Sequence, residues 1–226
     1  MDQDQAKKLA ARAALDLLPE RGVIGLGSGS TAKLFIDALG ELVKHGREYC
    51  GVATSDASRR QATELGIPLL ADDGPWSIDV CVDGADEVSD ALDLIKGGGA
   101  AHTREKIVNQ AARTNVIVVD ESKLSTRLGE RWPVPIEVLR FAYLTTLRAL
   151  ERFGEPGLRL RDGAPVRTDA GNYVCDLKTG PIEQPLALEK ELKRVPGVVE
   201  SGLFCARADV VIVAGASGIR ELRPRR

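Results

Sequence analysis

The chain has 226 residues, with 31 Lys plus Arg against 33 Asp plus Glu and a formal net charge of −2. That balance argues against a nucleic-acid protein, whose affinity comes largely from excess positive charge. No apolar run approaches the roughly 20 residues needed to span a membrane. The length allows one large domain or two small ones with a proper core. Acids near the N-terminus, in place of a signal-peptide core, make the cytoplasm the expected compartment.

In chain order, Ala6 to Leu18 places alanines and leucines at helical spacing. Val23–Leu26 reads as a short strand ending in a glycine loop, and Thr31 to Val43 as the following helix. Tyr49 to Ala53 is a second strand and Asp56 to Leu65 a second helix, stopped by Gly66. Ile67 to Leu70 and Ile78 to Val82 read as further strands, and Thr103 to Arg113 as a helix. Val116–Val119 is continuously apolar, the pattern of a strand buried on both faces. This βαβα rhythm predicts an α/β fold: an open, mostly parallel, Rossmann-like sheet with helices on both sides.

Pro133 and Pro135 mark a change of rhythm. The expected elements are then strand 134–138, helix 140–153, strands 158–161 and 172–177, helix 185–194 and strand 198–205. That βαββαβ order predicts a ferredoxin-like α+β unit. Asp209 to Ala214 is again wholly apolar apart from its first residue, and belongs back in the first sheet. The expected domains are therefore 1–131 plus 207–226, with 132–206 inserted. The end Arg223-Pro224-Arg225-Arg226 reads as a solvated basic tail. Cys50, Cys81, Cys175 and Cys205 are scattered without metal-ligand spacing and read as reduced thiols, mostly buried as small hydrophobes. Only His45 and His102 are present, so zinc is not expected.

In an open parallel sheet, ligands collect beyond the C-terminal strand ends, and several polar segments fall there. Gly25-Leu26-Gly27-Ser28-Gly29-Ser30-Thr31 offers amides, hydroxyls and a helix N-terminus that suit a phosphate. It lacks the lysine of a nucleotide-binding loop and the third dinucleotide glycine, and a tight structural turn would use the same residues. In Val82-Asp83-Gly84-Ala85-Asp86-Glu87, two carboxylates three residues apart can hold sugar hydroxyls or a proton; they would also suit magnesium, but no third ligand cluster is evident. Lys96-Gly97-Gly98-Gly99-Ala100-Ala101-His102-Thr103-Arg104-Glu105 joins a cation, three consecutive glycines and an acid. An ordinary loop seldom needs three glycines, given their entropy cost on ordering. Lys123 follows the apolar strand 116–119 as a further strand-end candidate. Together these segments suit a small, anionic, hydroxyl-rich molecule whose protons are to be moved.

The chain resembles the type A family of ribose-5-phosphate isomerase. The matching stretches are Gly-Ser-Gly-Ser-Thr at 27–31, Ser-Asp-Ala-Ser at 55–58, Val-Asp-Gly-Ala-Asp-Glu at 82–87, Lys-Gly-Gly-Gly-Ala-Ala at 96–101, Thr-Arg-Glu-Lys-Ile at 103–107 and Pro-Gly-Val-Val at 196–199, in the family's order. The resemblance implies interconversion of ribose 5-phosphate and ribulose 5-phosphate without metal or organic cofactor, and a homodimer or homotetramer. It implies Glu105 as catalytic base, with Asp83, Asp86 and Lys96 as further active-site residues. Ser28, Gly29, Ser30, Thr31, Asp83, Gly84, Ala85, Asp86, Lys96, Gly97, Gly98, Gly99 and Lys123 match substrate-binding positions. Two positions depart from the pattern: Ser28 stands where Thr is more frequent, and His102 where an apolar residue is usual. His102 is expected to face solvent. Two rival readings remain, a non-catalytic sugar-phosphate sensor and a coenzyme A transferase. No separate segment is left for a sensor's DNA-binding module, and the isomerase stretches argue against a transferase.

Overall fold

The computed structural model describes residues 2–224. Its contacts divide into two compact units. The first comprises the chain up to Gly84, Arg104–Lys123 and the chain from Arg207; the second comprises Ala85–Thr103 and Leu124–Ala206.

The first unit is built on a six-stranded sheet in the order Gly218–Leu222, Val210–Gly215, Ala112–Asp120, Ile78–Asp83, Gly22–Leu26, Tyr49–Ala53. All neighbours are parallel except the edge strand Gly218–Leu222, which runs antiparallel. Side chains alternate between faces as the pleat requires. Ile24, Leu26, Val80, Val82, Val116, Val118 and Ile212 pack on one face against Ala6, Ala10, Phe35, Ile36 and Leu39 of the helices Gln3–Ala13 and Gly29–Lys44. Ile78 and Cys81 join Val52 and Val108, the last from the helix His102–Ala111, in a separate cluster. Strands covered on both faces explain the apolar runs Val116–Val119 and Val210–Ala214, all at most 2 % exposed.

The second unit carries a four-stranded antiparallel sheet in the order Val198–Ser201, Val134–Val138, Tyr173–Lys178, Glu155–Leu158. Numbered within the unit, this is the 4-1-3-2 order of a ferredoxin-like βαββαβ arrangement, with helices Tyr143–Leu150 and Pro185–Lys193. Its core gathers Val134, Ile136, Val138, Leu150, Cys175, Leu177 and Leu192. A smaller sheet pairs Leu203–Phe204 with Leu94–Ile95, and that strand with Glu87–Val88.

The fold class is as expected, with several local differences. Residues 85–103 and 124–131 group with the second unit, because their short strands pair with Leu203–Phe204 and the buried Glu87 carboxylate accepts the amides of Gly129 (2.9 Å) and Arg131 (3.1 Å). Ile67–Leu70 is not a strand: Pro68 interrupts it and only a bridge between Gly51 and Leu69 forms. The strand expected over 198–205 breaks at Gly202 and serves two sheets. The helix expected from 140 starts at Tyr143, after Ala142 in a left-handed conformation, and tightens to a 3₁₀ turn at Glu151–Phe153. The helix expected over 103–113 gives way to strand at Ala112. Of the basic tail, Arg223 pairs with Glu221; Arg225 and Arg226 lie outside the described residues. Cys81, Cys175 and Cys205 are buried and Cys50 half-buried, all as free thiols. Among the described residues no helix is long and apolar enough to cross a membrane.

Candidate active site

The sheet order of the first unit reverses between Gly22–Leu26 and Ile78–Asp83, since the chain winds outward on either side of that pair. Such a switch point opens a crevice beyond the strand C-termini. Ser28 and Asp83 stand there and are joined: Asp83 Oδ1 accepts the Ser28 amide at 2.9 Å and the Gly84 amide at 2.8 Å. The approach depends on Gly27, where a Cβ would lie 2.3 Å from Asp83 Oδ1. Asp83 is 4 % exposed.

Ser28 precedes the helix Gly29–Lys44 without capping it through its side chain. Thr54 Oγ1 donates to the Leu26 carbonyl (3.0 Å) and lies 2.7 Å from Ser28 Oγ, which leaves Ser28 as donor in that pair. The Ser-Asp-Ala-Ser motif completes the support. Ser55 caps the helix Asp56–Glu64 through the Ser58 amide, and Ser58 Oγ donates to the Gly27 carbonyl at 2.6 Å. The first-turn amides at Gly29, Ser30 and Thr31 point out of a 16-residue helix, at its positive end.

Glu105 sits in the first turn of His102–Ala111 and is 5 % exposed. Three residues on, Val108 packs against Cys81 over Gly25, where a Cβ would lie 2.9 Å from Val108 Cγ1. Val108, with Ala111 and Ala112 after it, packs in the cluster of Ile78 and Cys81, so the helix lies against the strands Gly22–Leu26 and Ile78–Asp83. Lys123 ends the 3₁₀ turn after the same strand. Beside it, burial would raise the Asp120 carboxyl, but hydrogen bonds from Ser122 and Gln3 and the charge of Lys123 hold it below its ordinary value.

The second unit holds the other segment. Lys96 is 4 % exposed, donates its amide to the Gly202 carbonyl (2.8 Å) and extends its ammonium over the Phe204 ring, 5.5 Å from the centroid. Asp86 Oδ2 accepts the Gly98 amide at 2.7 Å. Ala85, beside it, is half-buried, and Gly99 is exposed at the loop's tip. Gly97 has φ +113, and a Cβ there would lie 2.6 Å from His102 Nδ1. His102 therefore does not face solvent: it is fully buried, and its Nε2 accepts the Glu137 amide at 3.1 Å, filling the space a glycine leaves.

Sequence reasoning missed two residues of this support. Glu137, 1 % exposed, accepts from Thr103 Oγ1, Thr168 Oγ1 (2.9 Å) and Asn172 Nδ2 (2.8 Å). Arg159 donates to the carbonyls of Gly97 and Gly98. The only signal was a charged residue inside an expected strand. Among the described residues no three His, Cys, Asp or Glu side chains are grouped to share a metal ion.

Residues 50–218 match the family model of ribose 5-phosphate isomerase A (phosphoriboisomerase A). The chain belongs to that family. Ribose-5-phosphate isomerase A of Thermosynechococcus vestitus is 46 % identical, over 96 % of both chains. That of Gloeobacter violaceus is also 46 % identical, over 99 % of this chain and 98 % of its own. Among solved structures, a D-ribose-5-phosphate isomerase in complex with phospho-erythronic acid superposes with a TM-score of 0.95 at 43 % identity, covering 99 % of this chain and all (100 %) of that one. The Plasmodium falciparum ribose 5-phosphate isomerase gives 0.94 at 34 % identity, over 99 % of this chain and 100 % of its own. As a member of the family, the chain is an aldose–ketose isomerase that interconverts ribose 5-phosphate and ribulose 5-phosphate in the pentose phosphate pathway. Neither the sensor nor the transferase reading is favoured.

Proposed function

We propose that Glu105 is the base that carries the proton between C2 and C1. The observation behind this reading is its burial in the first turn of a helix whose next turn is seated on Gly25 and Cys81, near the Asp83 strand end. A carboxylate held there takes the C2 proton of the open-chain aldose, leaving an enediolate; a proton passes from O2 to O1, and the carboxylic acid then returns its proton to C1 to give the ketose. The reaction is redox-neutral, so no electron acceptor is needed. Lys96 offsets negative charge developing on the sugar oxygens, most effectively from a site with little water. Asp83 and Asp86 orient hydroxyls and assist opening of the furanose ring, while Gly84, Ala85 and Gly97–Gly99 line the sugar.

The phosphate is assigned to Ser28–Thr31 with Lys123. Helix N-terminal amides bind anions, and the two segments follow parallel strands separated in the sheet by Ile78–Asp83 alone. The relative's phospho-erythronic acid fits this chemistry: its planar carboxylate reproduces the paired oxygens of an enediolate, and its phosphate that of the substrate. Self-association as a homodimer or homotetramer and a cytoplasmic location complete the proposal. The test is turnover of ribose 5-phosphate by enzyme dialysed against EDTA, without added metal or coenzyme. Ketose formation at an undiminished rate is expected; a requirement for magnesium, manganese or coenzyme A would overturn it.

A further inference from the structure

Arg159 lies between the strands Glu155–Leu158 and Leu160–Arg161 of the second unit, with its side chain 14 % exposed. Two of its nitrogens grip one carboxylate: Nε donates to Asp176 Oδ2 at 2.8 Å, and Nη2 to Asp176 Oδ1. Asp176 thereby fixes the guanidinium plane. The remaining nitrogen, Nη1, donates to the Gly97 carbonyl at 2.7 Å and the Gly98 carbonyl at 3.1 Å.

Those two bonds, together with the Ala100 amide donating to the same Gly97 carbonyl at 3.0 Å, fix where the loop's amides point, and at the Gly98 carbonyl Arg159 is the donor. In a planar trans peptide, the carbonyl and the following N–H face opposite ways. Carbonyls of Gly97 and Gly98 turned toward Arg159 therefore turn the amides of Gly98 and Gly99 away from it. The Gly98 amide meets Asp86 Oδ2 at 2.7 Å. The Gly99 amide belongs to an exposed residue, around which a Cβ would meet no atom within 4 Å. Consecutive glycines have no side chains of their own to select one such arrangement. A lysine could not supply it either, since a single ammonium cannot match the planar fork that holds Asp176 at two points and two carbonyls at a third.

We infer that Arg159, anchored by Asp176, is a positioning residue for the isomerisation: it sets the peptide planes of Gly97–Gly99 so that Asp86 is held and the Gly99 amide is presented as a donor to the charge developing on the sugar. This rests on the reading that the triglycine loop contacts substrate. Asp86 and the Gly99 amide then act in the transition state more than in the ground state, so loss of the clamp lowers kcat and leaves KM nearly unchanged.

The test compares Arg159→Lys, Arg159→Ala and Asp176→Asn in kcat, KM, affinity for phospho-erythronic acid and melting temperature. Loss of one preorganised donor typically costs on the order of 10²-fold or more, so kcat of both Arg159 variants is expected to fall by about 10- to 100-fold. KM should change by less than about threefold, and phospho-erythronic acid should weaken in step with kcat/KM. Free guanidinium ion should restore part of the activity of Arg159→Ala and none of Arg159→Lys, whose ammonium fills the site. Asp176→Asn, which keeps shape and weakens the anchor, should show a smaller fall in kcat. A lowered melting temperature with wild-type kcat in the folded fraction would make Arg159 merely structural and overturn the inference. Gly98→Ala separates the two layers, because its Cβ would lie 2.7 Å from Asp86 Oδ1. An inactive Gly98→Ala beside fully active Arg159 variants would refute the role of Arg159 alone. A fully active Gly98→Ala would remove the loop reading on which the inference stands.

Discussion

Gly27→Ala strains the point where the first two chemical segments meet. The added Cβ would lie 2.3 Å from Asp83 Oδ1, 2.4 Å from its Cγ and 2.6 Å from its Cα. Carbon atoms settle at about 3.5–4.0 Å from one another, so Asp83 must withdraw by about 1 Å. One of the three contacts is backbone, so a new side-chain rotamer cannot relieve the clash, and the strand end has to move. Overpacking of this kind costs about 1–3 kcal/mol. At about 2–4 °C per kcal/mol for a chain of this size, the melting temperature should fall by roughly 2–12 °C. The same movement strains the 2.9 Å bond from the Ser28 amide and displaces a carboxylate assigned to the sugar hydroxyls. Misplacement by 1 Å at a reacting centre costs on the order of 10²-fold, so kcat/KM should drop by about 30- to 300-fold. Ketose formation from ribose 5-phosphate and thermal melting by circular dichroism measure the two effects. A kcat/KM within threefold of wild type would show that the contact between Gly27 and Asp83 does not support the site.

Lys123→Ala should mainly raise KM if Lys123 binds ground and transition states alike, as assigned to the phosphate; unchanged KM and kcat in steady-state assays would contradict that assignment. Asp120 has a folded pKa below its ordinary 3.8, so its contribution to stability is present above that value and fades as pH falls through the lowered one. The destabilisation caused by Asp120→Asn, from denaturant melts, should therefore be larger at pH 6 than at pH 2.5. A pH-independent difference would contradict the network with Ser122 and Gln3. Burial pushes the Cys175 thiol up to about 12, so mass-mapped alkylation of the native protein at pH 8 should reach the half-buried Cys50 well before Cys175; equal rates would contradict that burial.

The parts of the fold legible from sequence were those with strong periodicity or full burial. Tyr49–Ala53 and Val134–Val138 are strands at the expected bounds, and the apolar run at 209–214 does return to the first sheet, beside Ala112–Asp120. The edge strand Gly218–Leu222 escaped notice because Arg220 and Glu221 are exposed on it, leaving little apolar alternation. Glu87–Val88 and Leu94–Ile95 are two-residue strands, too short for any period, and their pairing with Leu203–Phe204 is what draws residues 85–103 into the second unit. The chemical segments were visible as clusters of glycine and charge, but their bonds were not. Nothing local marks Gly27 as the glycine that makes room for Asp83, or Arg159 as the partner of carbonyls more than sixty residues away. His102 was misjudged because a polar residue beside a polar motif suggests exposure, whereas Gly97 leaves a space that the ring fills.

The most direct test of Glu105 as the proton carrier is exchange of the substrate C2 proton with deuterated solvent, followed by NMR in Glu105→Gln. The amide keeps the shape and some of the hydrogen bonding of the carboxylate but cannot accept the proton. General-base catalysis is typically worth 10²–10⁴-fold, so exchange and kcat should fall together by at least about a hundredfold. Affinity for phospho-erythronic acid should change far less, which shows that the site is still assembled. Exchange at the wild-type rate in Glu105→Gln would contradict the assignment and pass the role to another group, with Asp83 the next candidate.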